Sequence, residues 1–161
     1  MAETSQSGSY GDGGLATRAQ LAYPRGLALN ASGTLYFADV FSHHARKINP
    51  DGTIGRWRGN GQPGYSGRGP ATSALYCPQG VAVDPTMGNL YIADSSNYRI
   101  RMVTPKAPSV RWPELGQIGF SGDGRPARDA QLAARLARPW IRRATSTFQI
   151  RLFVCQMAPA C

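Results

Sequence analysis

His43 and His44 stand side by side and are the only histidines in this 161-residue chain. Neutral imidazole nitrogens are good ligands for divalent metals and good proton carriers near neutrality. Neighbouring residues of an extended segment point to opposite sides, so the pair does not readily converge on one ion. The two are weak metal candidates, and the plainer expectation is a pair of exposed loop imidazoles. No serine- or cysteine-centred relay can be assembled without one of them as base. No catalytic residue is therefore assigned, no cofactor is expected, and the reading leans away from an enzyme. Asp39 and Asp94 each close a similar short motif, LYFAD and LYIAD. A catalytic carboxylate is needed once, whereas one that recurs suits a structural task such as accepting backbone N–H groups in a turn.

Two further groups invite a chemical reading. Gly11-Asp12-Gly13-Gly14 and Gly122-Asp123-Gly124 look superficially like phosphate or calcium loops. The first lacks the lysine and the long following helix of a phosphate loop, and neither has EF-hand ligand spacing, so both read better as tight turns. Arg46, Arg99 and Arg101, with Lys47 nearby, are weak candidates for binding RNA or an acidic partner. No interleaved aromatic platform accompanies them, so a solvated basic strand face is the plainer expectation. The cysteines, Cys77, Cys155 and Cys161, are odd in number and widely spaced, which supports neither a zinc site nor a disulfide framework. Cys77 reads as a small buried apolar residue; a Cys155–Cys161 bridge stays open.

The elements that position these residues come from an internal repeat. Residues 24–39 read PRGLALNASGTLYFAD and residues 78–94 read PQGVAVDPTMGNLYIAD. Pro24 matches Pro78, Gly26 matches Gly80, Gly33 matches Gly88 and Asp39 matches Asp94, at offsets of 54 to 55 residues. A second feature recurs three times, from Gly11, Gly67 and Gly122. With 19 glycines and 12 prolines, the chain is punctuated for short strands and turns rather than long helices. Each repeat carries four short strands. Leu27–Leu29 and Val81–Val83 are brief apolar runs suited to a strand buried on both faces. A turn ending in Gly33 or Gly88 leads to 35–38 or 90–93, and a polar loop leads to 45–48 or 99–103. An outer strand follows at 53–57, with its counterpart at 110–112, where Pro113 is acceptable only at an edge. The linker 59–77 is too long for a hairpin and is expected to cross between units, with a single helical turn at 71–75.

Four antiparallel strands and a long return connection describe a β-propeller blade. On these motifs, together with the linker GNGQPGYSG and the third-strand segments 43–48 and 97–103, the chain resembles the NHL repeat family in its form of about 55 residues. The resemblance implies an all-β, partial β-propeller of four-stranded antiparallel blades, two of them plus the start of a third. Residues 1–10 are expected to be a disordered N-terminus, 11–66 blade one with its preceding linker, 67–121 blade two, 122–139 a linker into an incomplete third blade, and 140–161 an off-pattern basic tail. Gly26, Gly33, Asp39, Gly80, Gly88 and Asp94 are the structural repeat residues. His43-His44-Ala45 departs from the family's usual Asn-x-Arg-Ile.

Charge and ends refine the picture. The net charge of +9 divides into +3 over residues 1–124 and +6 over residues 125–161, so the basic character belongs mostly to the tail. After Pro139 another repeat strand is expected, yet the text becomes WIRRATSTFQIRLFVCQMAPAC, as a shifted reading frame or retained intron would produce. Within it, residues 148–154 alternate enough for a strand. Propellers close with about four to eight blades, so two blades leave open apolar faces, and the chain reads as a fragment of a larger propeller. The resemblance implies a non-catalytic scaffold that binds a protein, with self-association through the open faces. The alternatives are a lyase- or hydrolase-like propeller whose metal site lies on missing blades, and a basic RNA-binding face. No apolar run spans a membrane and no secretion signal begins the chain, so no membrane partner is expected and the compartment is left unassigned.

Overall fold

A computed structural model of the chain describes residues 8–65, 74–85 and 87–104, and the backbone of the strands at 110–111, 137–144 and 147–154. Strands β1 (Pro24–Leu29), β2 (Leu35–Asp39), β3 (His44–Ile48) and β4 (Ile54–Arg58) form one antiparallel sheet in chain order. Strands β5 (Pro78–Val83), β6 (Leu90–Asp94), β7 (Arg99–Val103) and β8 (Val110–Arg111) form a second with the same order. These are two propeller blades, with the expected strands in the expected places. The polar loop after each aspartate is tighter than expected, a single 3-10 turn at Val40–Ser42 and at Ser95–Asn97. Most of the helical turn expected at 71–75 falls outside the described residues. Its counterpart in the first linker, Ala16–Arg18, is a 3-10 turn.

Local chemistry fixes the hairpins. Asn30 Oδ1 accepts the Ser32 and Thr34 N–H groups, and Asp84 Oδ1 accepts that of Met87, which reverses the chain between the first two strands of each blade. Gly33 and Gly88 complete the turns at φ +81° and +68°, a region that L side chains avoid. The Pro-x-Gly start of each inner strand is a bulge, since the register shifts at Arg25/Leu27 and at Pro78/Gly80. Inner strands of neighbouring blades approach most closely there. A Cβ on Gly26 would lie 2.5 Å from the Cα of Gly80. The repeated glycine thus lets inner strands converge.

Apolar contacts hold the blades together. Ala38 and Ala45 of blade one pack with Leu75, Val81, Leu90, Ile92 and Val103 in one buried cluster. A second cluster folds Ala16 and Ala19 of the first linker over Phe37 and Ile54. That linker also covers the edge of β4, where Gly13 N–H donates to Ile54 O and Ile54 N–H to Gly14 O. The expectation of inner strands buried on both faces holds for β5 and fails for β1. Val81 is 3% exposed, whereas Leu27 and Leu29 are 70% and 65% exposed. Val81 faces blade one; nothing described faces the matching side of β1.

The off-pattern tail is not shapeless. β9 (Ala137–Ala144) and β10 (Thr147–Val154) pair in register from Ala144↔Thr147 to Ala137↔Val154. β9 adjoins β5 and β6 much as β5 adjoins β1 and β2, so it lies where the inner strand of a third blade belongs.

Candidate functional site

Each repeated aspartate is half of a clasp that fastens the incoming linker to its blade. Asp39 Oδ1 accepts the Ala22 N–H at 2.6 Å, and Asp94 Oδ1 accepts that of Tyr76 at 2.8 Å. The partner is an arginine seven residues on. Arg46 Nη1 lies 3.3 Å from Asp39 Oδ2 and donates to Gln20 O at 2.6 Å. Arg101 donates from Nε to Asp94 Oδ2 at 2.7 Å and from Nη2 to Ala74 O at 2.9 Å. Both aspartates are fully buried. Burial pushes the Asp39 carboxyl above the usual carboxylate range, against the opposing pull of Ser42, the Ala22 N–H and Arg46. Asp94 is raised by burial too, with Arg101 as its main counterweight. Both carboxylates are thus committed to linker backbone and to their arginines.

Two of the arginines therefore do not form a solvated face. Arg46 is 0% exposed and pairs also with Asp12 Oδ1 at 2.8 Å, while Asp12 Oδ2 takes the exposed Arg56 at 2.6 Å. Arg101 is largely buried in its own ion pair. Arg99 lies over the Tyr65 ring, 3.6 Å from its centroid. Sequence reading missed Asp12 as the second carboxylate of the first clasp. The signal was its recurrence as Gly-Asp-Gly, which was read only as a turn.

The histidines also depart from expectation. His43 caps its 3-10 turn at φ +56°, half buried, and its Nδ1 accepts the Cys77 N–H at 3.3 Å, so it ties one blade to the next. Burial lowers its pKa. His44 begins β3 and is 3% exposed, with neither ring nitrogen hydrogen-bonded. Burial, aided by the charge of Arg56, lowers its pKa to about 4, so it is neutral at physiological pH. Neither is an exposed loop imidazole. Among the described residues no group of three or more His, Cys, Asp or Glu side chains could hold a metal ion. Cys77 is buried as expected, yet it is not a simple apolar filler: it is disulfide-bonded, to a partner outside the described residues.

What the clasps leave is a rim, the end of each blade where β1 or β5 begins and β2 or β6 ends. On blade one, Tyr23 and Phe41 stack there with ring centroids 5.1 Å apart and planes at 23°. Arg25 lies over the other part of the cluster, 4.5 Å from the Tyr23 centroid, and reaches across to Gln79 Oε1 at 3.0 Å. Both rings are more than two-fifths exposed. The backbone there is shared with blade two, since Tyr23 and its counterpart Cys77 both have positive φ, +63° and +45°. The side chains are not shared: Tyr23, Arg25 and Phe41 correspond to Cys77, Gln79 and Ser96. His43 extends the aromatic rim toward blade two, edge-on to Tyr76 with centroids 5.8 Å apart. Two exposed rings and a half-buried guanidinium thus share one patch at this rim.

Two family models match the chain: the teneurin NHL domain over residues 3–63 and the NHL repeat over residues 75–101. No curated protein matches it. Among solved structures it is similar to a putative phosphatase from Bacteroides thetaiotaomicron VPI-5482, at 22% identity and a TM-score of 0.50, covering 62% of this chain and 24% of that one. It is also similar to a streptogramin B lyase (17% identity, TM-score 0.42, 58% and 27% covered) and to virginiamycin B lyase from Staphylococcus aureus (16%, 0.40, 62% and 30%). The chain thus spans between about a quarter and a third of these structures, and at such identities the likeness concerns fold alone. With β1–β4 inside the first matched segment and β5 and β6 inside the second, the chain carries NHL-type β-propeller repeats.

Proposed function

We propose that this chain is a protein-recognition module whose anchor is the Tyr23–Arg25–Phe41 platform on the rim of blade one. The observation that carries the reading is that Tyr23 and Phe41 are exposed and packed with the half-buried Arg25, while the repeat counterparts of all three are not aromatic or cationic. A fold requirement would recur in both blades. Tyrosine and arginine are also the residue types that dominate binding energy at protein interfaces. A pull-down comparing the natural chain with a Tyr23→Ser/Phe41→Ser variant of matched circular dichroism tests this. Proteins retained by the natural chain and lost by the variant support the reading. Identical retention by both defeats it, and homopolymer RNA binding that survives physiological salt would replace it with the nucleic-acid reading.

A specific observation favours self-assembly as well. The exposed face of β1, with Leu27 and Leu29, corresponds to the face of β5 that blade one covers. We propose that another blade of the same type, from a second copy or from elsewhere in a longer propeller, docks on it.

A further inference from the structure

The seam between the two blades contains a cavity of about 250 Å³ that neither the clasps nor the rim uses. Blade one lines it with Tyr36, Trp57 and Arg58, and blade two with Val83, Leu90 and Val103. The Tyr36 and Trp57 rings meet edge to face, with centroids 5.4 Å apart, and form one apolar wall. Val83, Leu90 and Val103 add an aliphatic lining from blade two. Against such a lining a flat ring is the natural guest.

The polar end of the cavity is cationic. The Arg58 guanidinium lies 3.9 Å from the Trp57 centroid, and Nη1 donates to the Trp57 carbonyl at 2.6 Å. Its Nε is buried and has no hydrogen-bond partner. Arg58 forms no ion pair among the described residues, in contrast with Arg46, Arg56 and Arg101. Burial lowers its pKa against the opposing influence of Tyr36, as expected for a cation short of a counter-charge. Among the described residues no acidic side chain lines the cavity. Asn30 also reaches it, but its Oδ1 is already occupied by the Ser32 and Thr34 N–H groups.

We infer that this inter-blade cavity binds a small arylcarboxylate, its ring between the Tyr36–Trp57 wall and Val83, Leu90 and Val103, and its carboxylate on the Arg58 guanidinium. The volume lies at the small end for ligand pockets, enough for one ring and its carboxylate, about nine or ten non-hydrogen atoms. A carboxylate supplies the acceptor that Nε lacks and the charge that the cavity lacks. The site is independent of the rim platform, and either can fail without the other.

The test uses the full chain, with benzoate as the probe and benzamide and benzylammonium as controls of similar shape and different charge. The readout is the indole N–H resonance of Trp57, assigned with a Trp57→Phe variant. Benzoate is expected to shift this resonance saturably with a Kd of about 1 mM or tighter. Benzamide should bind about ten-fold more weakly or worse, and benzylammonium should not compete. Arg58→Gln should lose about ten-fold or more in benzoate affinity, with Arg58→Lys between the two. Equal binding of benzoate and benzamide, absence of a saturable shift, or an unaltered Kd in Arg58→Gln overturns the inference. If Arg58→Gln does not fold, the charge comparison on the natural chain decides alone.

Discussion

Replacing Arg46 with methionine is the most demanding test of the clasp. The substitution keeps apolar bulk and removes every hydrogen bond that the guanidinium makes to Asp39, Gln20 and Asp12. Asp39 is then a fully buried carboxylate without its cation, a change that costs about 3–5 kcal/mol when one partner of a buried pair is deleted. The total stability of a domain is only about 5–15 kcal/mol. With a urea m-value of about 2 kcal/mol/M, the midpoint should fall by about 2 M or the fold should be lost. The loss should be pH-dependent. Without Arg46, burial raises the Asp39 carboxyl further, so the folded state takes up a proton before the unfolded chain does. The deficit relative to the natural chain should therefore shrink as pH falls from 8 toward the carboxylate range. Asp39→Leu/Arg46→Met separates a clasp from a plain ion pair. Apolar replacement of an isolated buried pair is often neutral. Here it removes the acceptor of the Ala22 N–H and the arginine donor to the Gln20 C=O, at about 1–3 kcal/mol for each bond lost. Urea titrations followed by circular dichroism at two pH values give all of these quantities. A deficit below about 1 kcal/mol for Arg46→Met, or recovery in the double variant, would refute the reasoning.

Arg101→Met should cost less than Arg46→Met under the same titration, because Arg101 is 19% exposed and has one carboxylate partner instead of two. His44 is neutral when folded and titrates near its ordinary value when unfolded, so stability should fall as pH drops from about 6.5 to about 4, by about 3 kcal/mol in all, and stay level below that window. His44→Leu should remove most of this slope and leave what the lowered pKa of His43 contributes, and an unchanged slope in urea melts would show that another group carries it. Gly26→Ala combines positive φ with a collision against the Gly80 backbone and should cost more than about 2 kcal/mol. Gly52→Ala, at φ +82° with open space around it, should cost about 1 kcal/mol, and equal losses in thermal melts would deny the inter-blade contact. Leu27→Lys/Leu29→Lys should reduce association in sedimentation velocity, and a self-association constant equal to that of the natural chain would remove β1 as the docking face.

The blade was legible in the sequence because its punctuation is local. Pro24, Gly26, Gly33 and Asp39 act within a few residues of themselves, and their return at Pro78, Gly80, Gly88 and Asp94 made each strand and turn visible twice. Even a bulge glycine whose purpose is contact with another blade announces itself by recurrence. Interactions that span a linker did not show. Nothing local says that Arg46 turns inward to Asp12, 34 residues earlier, so a basic strand face read as solvated. The same blindness exposed His44 on paper, although a buried strand start receives it. It also hid the rim, since Tyr23 and Phe41 lie 18 residues apart and meet only when the 3-10 turn docks on the first linker through Phe41 N–H and Ala22 O.

Recurrence is thus evidence of folding, and its failure is the better guide to function, provided that the backbone is held constant. That condition is met at two places, and a third difference stands in the sequence alone. At the rim, Tyr23 and Cys77 share positive φ while differing in side chain, so the difference is not compelled by the turn. At the start of the third strand, His44 and Arg99 follow matching left-handed residues, His43 at φ +56° and Tyr98 at φ +55°, yet one is sealed and neutral and the other lies on an aromatic ring. In the first linker, Asp12 completes a clasp, and the aligned position in the second is Arg68, of opposite charge. A repeat under selection for folding alone would drift at exposed positions and keep its buried partners. The first change instead places two aromatic rings in solvent beside a half-buried guanidinium, where folding gains least from them and a partner would gain most.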